Sequence, residues 1–89
     1  MTRVELTKAI RTKAEKWHKL NLTVRSYKGN QKFEVHLIMM PELSSGELNG
    51  SACLWVDGQH HSERTWLEIS PIYDLMDSIE LLDGDQRGK

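Results

Sequence analysis

The 89-residue chain has one cysteine, two prolines and no long apolar run. A lone Cys53 cannot form an intramolecular disulfide, so the fold gains nothing from cross-links. For a small domain this favours a reducing compartment, and a cytoplasmic location is expected. The apolar runs, Leu37 to Met40 among them, fall far short of the roughly 20 residues a membrane span needs, so no membrane partner is expected. Residues 1–20 are charged and contain no apolar h-region, so no signal peptide is expected. The sequons Asn21-Leu22-Thr23 and Asn49-Gly50-Ser51 are chance matches in a cytosolic chain. Internal repeats and low-complexity tracts are missing. So are a Walker loop, a dinucleotide fingerprint, a Ser-His-Asp arrangement and a paired-carboxylate motif. The expectation is a protein that is not an enzyme and holds no cofactor.

The residues present describe a single small domain. A chain this short buries about 60–65% of its unfolded surface, so its core is modest and a second copy is an inexpensive source of more. Apolar residues make up 38% and charged residues 28%, a composition that can fold. The net charge of −1 conceals an asymmetry. Residues 1–40 hold nine Lys/Arg against three Asp/Glu, and residues 41–89 hold three against ten. Such a chain can be dipolar, pair with itself or show one charged face to a partner.

Thr2 and Glu5 fit a helical capping box, and Leu6, Ile10, Ala14 and Trp17 follow as one stripe of 3.6-residue period. The period changes to two at Asn21, through Leu22, Val24 and Ser26, and a turn at Lys28-Gly29-Asn30-Gln31 follows. Phe33, Val35, Leu37 and Met39 alternate in the clearest strand, which Pro41 stops. Residues 42–50 read as a polar loop. Ser51–Val56 and Thr65–Ile69 read as two further strands around the hairpin signal Asp57-Gly58, in a turn that could extend to Ser62. Ser70-Pro71 then opens a helix with a stripe of Ile72, Leu75, Met76, Ile79 and Leu82, stopped at Gly84. The expected fold is α+β, a two-layer sandwich in the order α-β-β-β-β-α. It has an antiparallel four-stranded meander with both helices on one face. Residues 1–84 form the single domain, and 85–89 a flexible C-terminal tail.

Candidate chemistry is sparse. His60 and His61 are neighbours, and neighbours on an extended chain point to opposite sides. Zinc sites need three or four convergent ligands, and no familiar spacing occurs, so no metal is expected. Cys53 has no nucleophile signature and reads as a small filler or half-exposed thiol, reachable from His36 only if register and face agree. The first helix's basic face, with Lys13 and Lys16, and the first hairpin, with Arg25 and Lys28, make nucleic acid the alternative partner. The order resembles that of double-stranded RNA-binding domains, but the acidic segment of Asp74, Asp77, Glu80, Asp83 and Asp85 lies where such domains need positive charge.

The tryptophans weigh more. If Leu54, Val56, Leu67 and Ile69 face the helices, Trp55 and Trp66 lie together on the other face; the inverse assignment makes them core. On the first assignment they form an exposed patch of the kind that marks protein interfaces. The expected function is therefore a small accessory protein, a protein-binding module or inhibitor, homodimeric through its open sheet face or edge. Its contacts would be Trp55, Trp66, His36, Leu43 and Glu47.

Overall fold

In the computed structural model, residues 1–39 and 50–88 are described, with backbone alone at 16–18 and 83–88. Helix α1 runs over Arg3–Lys16. Its start is the expected capping box: the Thr2 amide donates to Glu5 Oε1 at 3.0 Å and the Glu5 amide donates to Thr2 Oγ1 at 3.2 Å. The bond from the Thr2 amide, followed by the Thr2 side chain, holds the Glu5 carboxyl below its ordinary value. The helix ends at Lys16, and Trp17 already begins β1 (Trp17–Lys28) rather than completing the helical stripe.

Strands β2 (Gln31–Met39), β3 (Gly50–Val56) and β4 (Gln59–Thr65) follow β1 as an antiparallel meander. Helix α2 (Trp66–Ile69) leads into a 3₁₀ helix (Ser70–Leu75), and β5 (Ser78–Gly88) is the last element among the described residues. The sheet order is β4-β3-β2-β1-β5. The α+β architecture, the antiparallel meander and the placement of helical elements on one face are as expected; a fifth strand is added.

Two segments differ from their sequence pattern. The hairpin turn is only Asp57-Gly58, so the fourth strand is Gln59–Thr65, and 66–69, expected as strand, is helical. Thr65 caps that helix by accepting from the Glu68 amide. The expected helix from Ser70 stops as a 3₁₀ turn at Leu75, and Met76 is extended at φ −82°, ψ 144°. Residues 78–88 pair with β1 instead, from Tyr27↔Ser78 to Trp17↔Gly88, so 85–88, expected in a loose tail, belong to β5. The reason lies in β1: one edge pairs with β2, and the other leaves a long row of backbone donors and acceptors that β5 satisfies. Ile79 and Leu81 also alternate toward the core, a period-two signal concealed inside the helical one.

The core lies between the helices and the sheet's inner face. Leu6, Ile10 and Ala14 of α1 meet Leu20, Leu22 and Val24 of β1, Val35, Leu37 and Met39 of β2, and Ala52 and Leu54 of β3. Trp66, Ile69 and Tyr73 close the same cluster from α2 and the 3₁₀ helix. Each fully buried large side chain contributes about 1.5–3 kcal/mol. Arg3 Nη1 meets Asp74 Oδ2 at 2.8 Å and ties α1 to the 3₁₀ helix. The Gly29 amide donates to Asp77 Oδ2 at 2.7 Å, and the Asp77 amide to the Tyr27 carbonyl at 2.8 Å, which fixes the β1–β2 turn to the start of β5. Among the described residues, no helix is long and apolar enough to cross a membrane. Among the described residues, no helix lies on the sheet's outer face.

Candidate functional site on the open sheet face

The alternation that buries Val35, Leu37, Ala52 and Leu54 turns their neighbours outward. Register then orders the outer face into rows that cross the strands. One row runs Leu82, Thr23, His36, Cys53, Glu63, and the next Glu80, Arg25, Glu34, Trp55, His60. A third contains Asn21, Ile38, Ser51 and Thr65.

The β3–β4 hairpin sets the register of this end. Asp57 and Gly58 have φ values of 49° and 83°, the left-handed pair that a two-residue turn needs. Asp57 is bound twice to β2: its amide donates to the Lys32 carbonyl at 2.8 Å, and the Lys32 amide donates to Asp57 Oδ1 at 2.9 Å.

One irregularity follows. Leu54 pairs with Ser62 and Trp55 with His60, so His61 is an extra residue on β4. Such a bulge shifts the side-chain alternation by one position. His60 and Glu63, three apart, would face opposite sides of a regular strand; the bulge brings them to one side. His60 Nε2 lies 4.0 Å from Glu63 Oε1. A donor atom from each of Cys53, His60 and Glu63 falls within 4.8 Å of the others, a set with the chemistry of a metal ligand group. Cys53 is half-buried; His60 and Glu63 are exposed. His61 goes elsewhere, its Nδ1 3.2 Å from Ser62 Oγ.

Trp55 closes one side of this group. Its ring stands edge-on to His60 at 5.3 Å between centroids and 80° between planes, and tilted toward His36 at 6.0 Å and 60°. Beyond Cys53 lies a hollow of about 360 Å³, lined by His36, Ile38, Ser51, Cys53, Glu63 and Arg64. Further along the face, Glu34 meets Lys32 Nζ at 3.3 Å and Arg25 Nη2 at 3.8 Å.

The residues anticipated for protein contact divide. Trp55 and His36 stand together on the outer face. Trp66 does not join them: it is 3% exposed and packs against Tyr73 with centroids 5.7 Å apart. The cause is the early fourth strand, which makes His60 and not Trp66 the neighbour of Trp55. Leu67, which faces the helices in the assignment that sets Trp55 and Trp66 outside, is exposed for the same reason. Leu43 and Glu47, with the rest of 40–49, lie outside the described residues.

Lys13, Arg25 and Lys28 of the basic set do not share one surface. Lys13 belongs to the helical layer, Arg25 projects from the opposite face beside Glu34, and Lys28 sits at the β1–β2 turn. Lys16 is the last residue of α1. For Cys53 and His36 the register and face do agree, as direct partners across β2 and β3.

The pairing of His60 with Glu63 and Cys53 was not visible in the sequence, because spacing on a strand predicts it only once the bulge is known. No protein-family model, curated protein or solved structure matches this chain.

Proposed function

We propose that this chain is a non-enzymatic protein-binding module that works through the uncovered face of its sheet, and that the partner seated there is a second copy of the chain. The supporting observation is Ile38: it is 43% exposed in the middle strand of the sheet, one row from His36 and Cys53 and two rows from Trp55, on a face that no helix among the described residues covers. Branched and aromatic side chains grouped on an otherwise polar surface favour burial against another protein.

Charge supports self-association. The same face carries Arg25 and Lys32 together with Glu34, Glu63 and Glu80, so a two-fold arrangement can set each sign against its opposite. A small core also gains most from such an addition. A module of this kind acts as an inhibitor or accessory protein when its face occludes a partner's surface. The single thiol fits a reducing compartment such as the cytoplasm. Nucleic acid is the weaker partner, because its phosphates would need Lys13 and Arg25 on one surface and they occupy opposite layers.

Sedimentation equilibrium from low to high micromolar protein tests the reading. A concentration-dependent dimer that Ile38→Glu disperses supports it; a monomer throughout the range refutes it.

A further inference from the structure

We propose that Cys53, His60 and Glu63 form a binding site for a zinc-class transition-metal ion. Three chemically different donors meet at one point from two strands, within 4.8 Å of each other. A thiolate, an imidazole and a carboxylate together suit zinc or cobalt and not the hard ions magnesium and calcium, which take oxygen ligands. The donors need only a small approach. Metal–ligand bonds of about 2.0–2.3 Å place tetrahedral donors about 3.3–3.8 Å apart. His60 Nε2 and Glu63 Oε1, at 4.0 Å, are already near that spacing, on side chains exposed enough to adjust.

The backbone is arranged for the convergence. If β4 ran regularly through His61, with no bulge there, His60 would face the helices. Bulges of this sort recur where a sheet re-aims a side chain toward a site. The two-residue turn, fixed by Asp57 to Lys32, holds the register on which the bulge depends. Trp55, edge-on to His60, restricts the imidazole from its other side.

Three protein ligands leave the fourth tetrahedral position to a water molecule, toward the hollow bounded by His36 and Arg64. Binding replaces the thiol proton of Cys53, so the ion enters with release of a proton to solvent. The site requires no second copy of the chain and stands independently of the docking role of the face.

The test is anaerobic titration of the reduced full chain with Co²⁺ alone, at a concentration where sedimentation shows monomer, followed by competition with Zn²⁺. The expected result is one equivalent bound, with a thiolate-to-cobalt charge-transfer band and the visible bands of a four-coordinate ion, both removed by Zn²⁺. Cys53→Ser abolishes the charge-transfer band. His60→Gln and Glu63→Gln each weaken binding by more than the roughly 10–100-fold typical of losing an outer-shell partner. His61→Gln leaves binding unchanged. The absence of a charge-transfer band at one equivalent overturns the proposal. So does a band that survives both His60→Gln and Glu63→Gln, or one lost as readily with His61→Gln as with His60→Gln. Far-ultraviolet circular dichroism confirms the fold of each variant, and Cys53→Ala replaces Cys53→Ser if the latter misfolds.

Discussion

His60 and Glu63 lie three residues apart on one strand and face the same side of the sheet, with Nε2 and Oε1 4.0 Å apart. A regular strand forbids this, since odd separations point to opposite faces. The extra residue His61 makes it possible, and the Asp57-Gly58 turn decides where that residue falls. The β3–β4 end of the open face owes its arrangement to one bulge and one tight turn.

The turn should therefore be sensitive to substitution. Asp57 carries a φ of 49°, and its carboxylate accepts from the Lys32 amide at 2.9 Å. Asp57→Ala loses the acceptor and adopts a left-handed conformation without compensation, at a cost of about 1–3 kcal/mol. Asp57→Asn keeps both features and should stay within about 0.5 kcal/mol of wild type. Urea midpoints at constant m-value compare the two.

Of the two tryptophans that flank this region, one supports the fold and the other borders the face. Trp66 is 3% exposed, and Trp66→Ala should cost about 3–5 kcal/mol. Trp55 is only half-buried, and Trp55→Ala should cost less than about 1.5 kcal/mol. Equal losses in chemical denaturation would contradict this placement.

Ile38→Glu should separate association from stability. The side chain is exposed on the outer face, so monomer stability should change by about 1 kcal/mol or less. A new carboxylate there should nevertheless abolish the dimer proposed for the face. Thermal melts at low micromolar concentration and sedimentation at high concentration give the two readouts.

Tyr73 provides a pH dependence. It is 2% exposed, its hydroxyl lacks a hydrogen-bond partner among the described residues, and burial raises its pKa above the ordinary 10.0. Above that pH the unfolded chain gives up the phenolic proton while the folded chain keeps it. The unfolded state then binds fewer protons, and stability falls with rising pH by up to about 1.4 kcal/mol per unit. Below pH 10 this contribution is fully present and constant. Tyr73→Phe should remove that slope in alkaline denaturation and be neutral or stabilising at pH 7, since it deletes an unpaired buried hydroxyl.

Gly50 should resist enlargement. A Cβ at this position would meet the Ile38 carbonyl oxygen and Met39 Sδ. The carbonyl cannot yield without disturbing the β2–β3 ladder, so Gly50→Ala should cost about 1–3 kcal/mol in thermal or urea unfolding.

Much of the architecture was legible in the sequence because it depends on local rules. Thr2 and Glu5 identify the start of α1, alternation from Phe33 to Met39 identifies β2, and Asp57-Gly58 identifies the hairpin. Each signal comes from a backbone need that neighbouring residues satisfy, so no distant contact has to be known. The apolar stripe of α1 and the inner side of the meander follow from the same periodicities.

Tertiary structure decided the rest. Residues 70–84 hold both a helical and an alternating pattern, and the unpaired edge of β1 selected the strand, because a ladder of backbone bonds outweighs a weak local preference. The position of β4 buried Trp66 and left Trp55 outside, although their sequence settings look alike. The convergence of Cys53, His60 and Glu63 depends on cross-strand register and on one surplus residue. Those are long-range properties of a folded sheet, and no spacing along a single strand contains them.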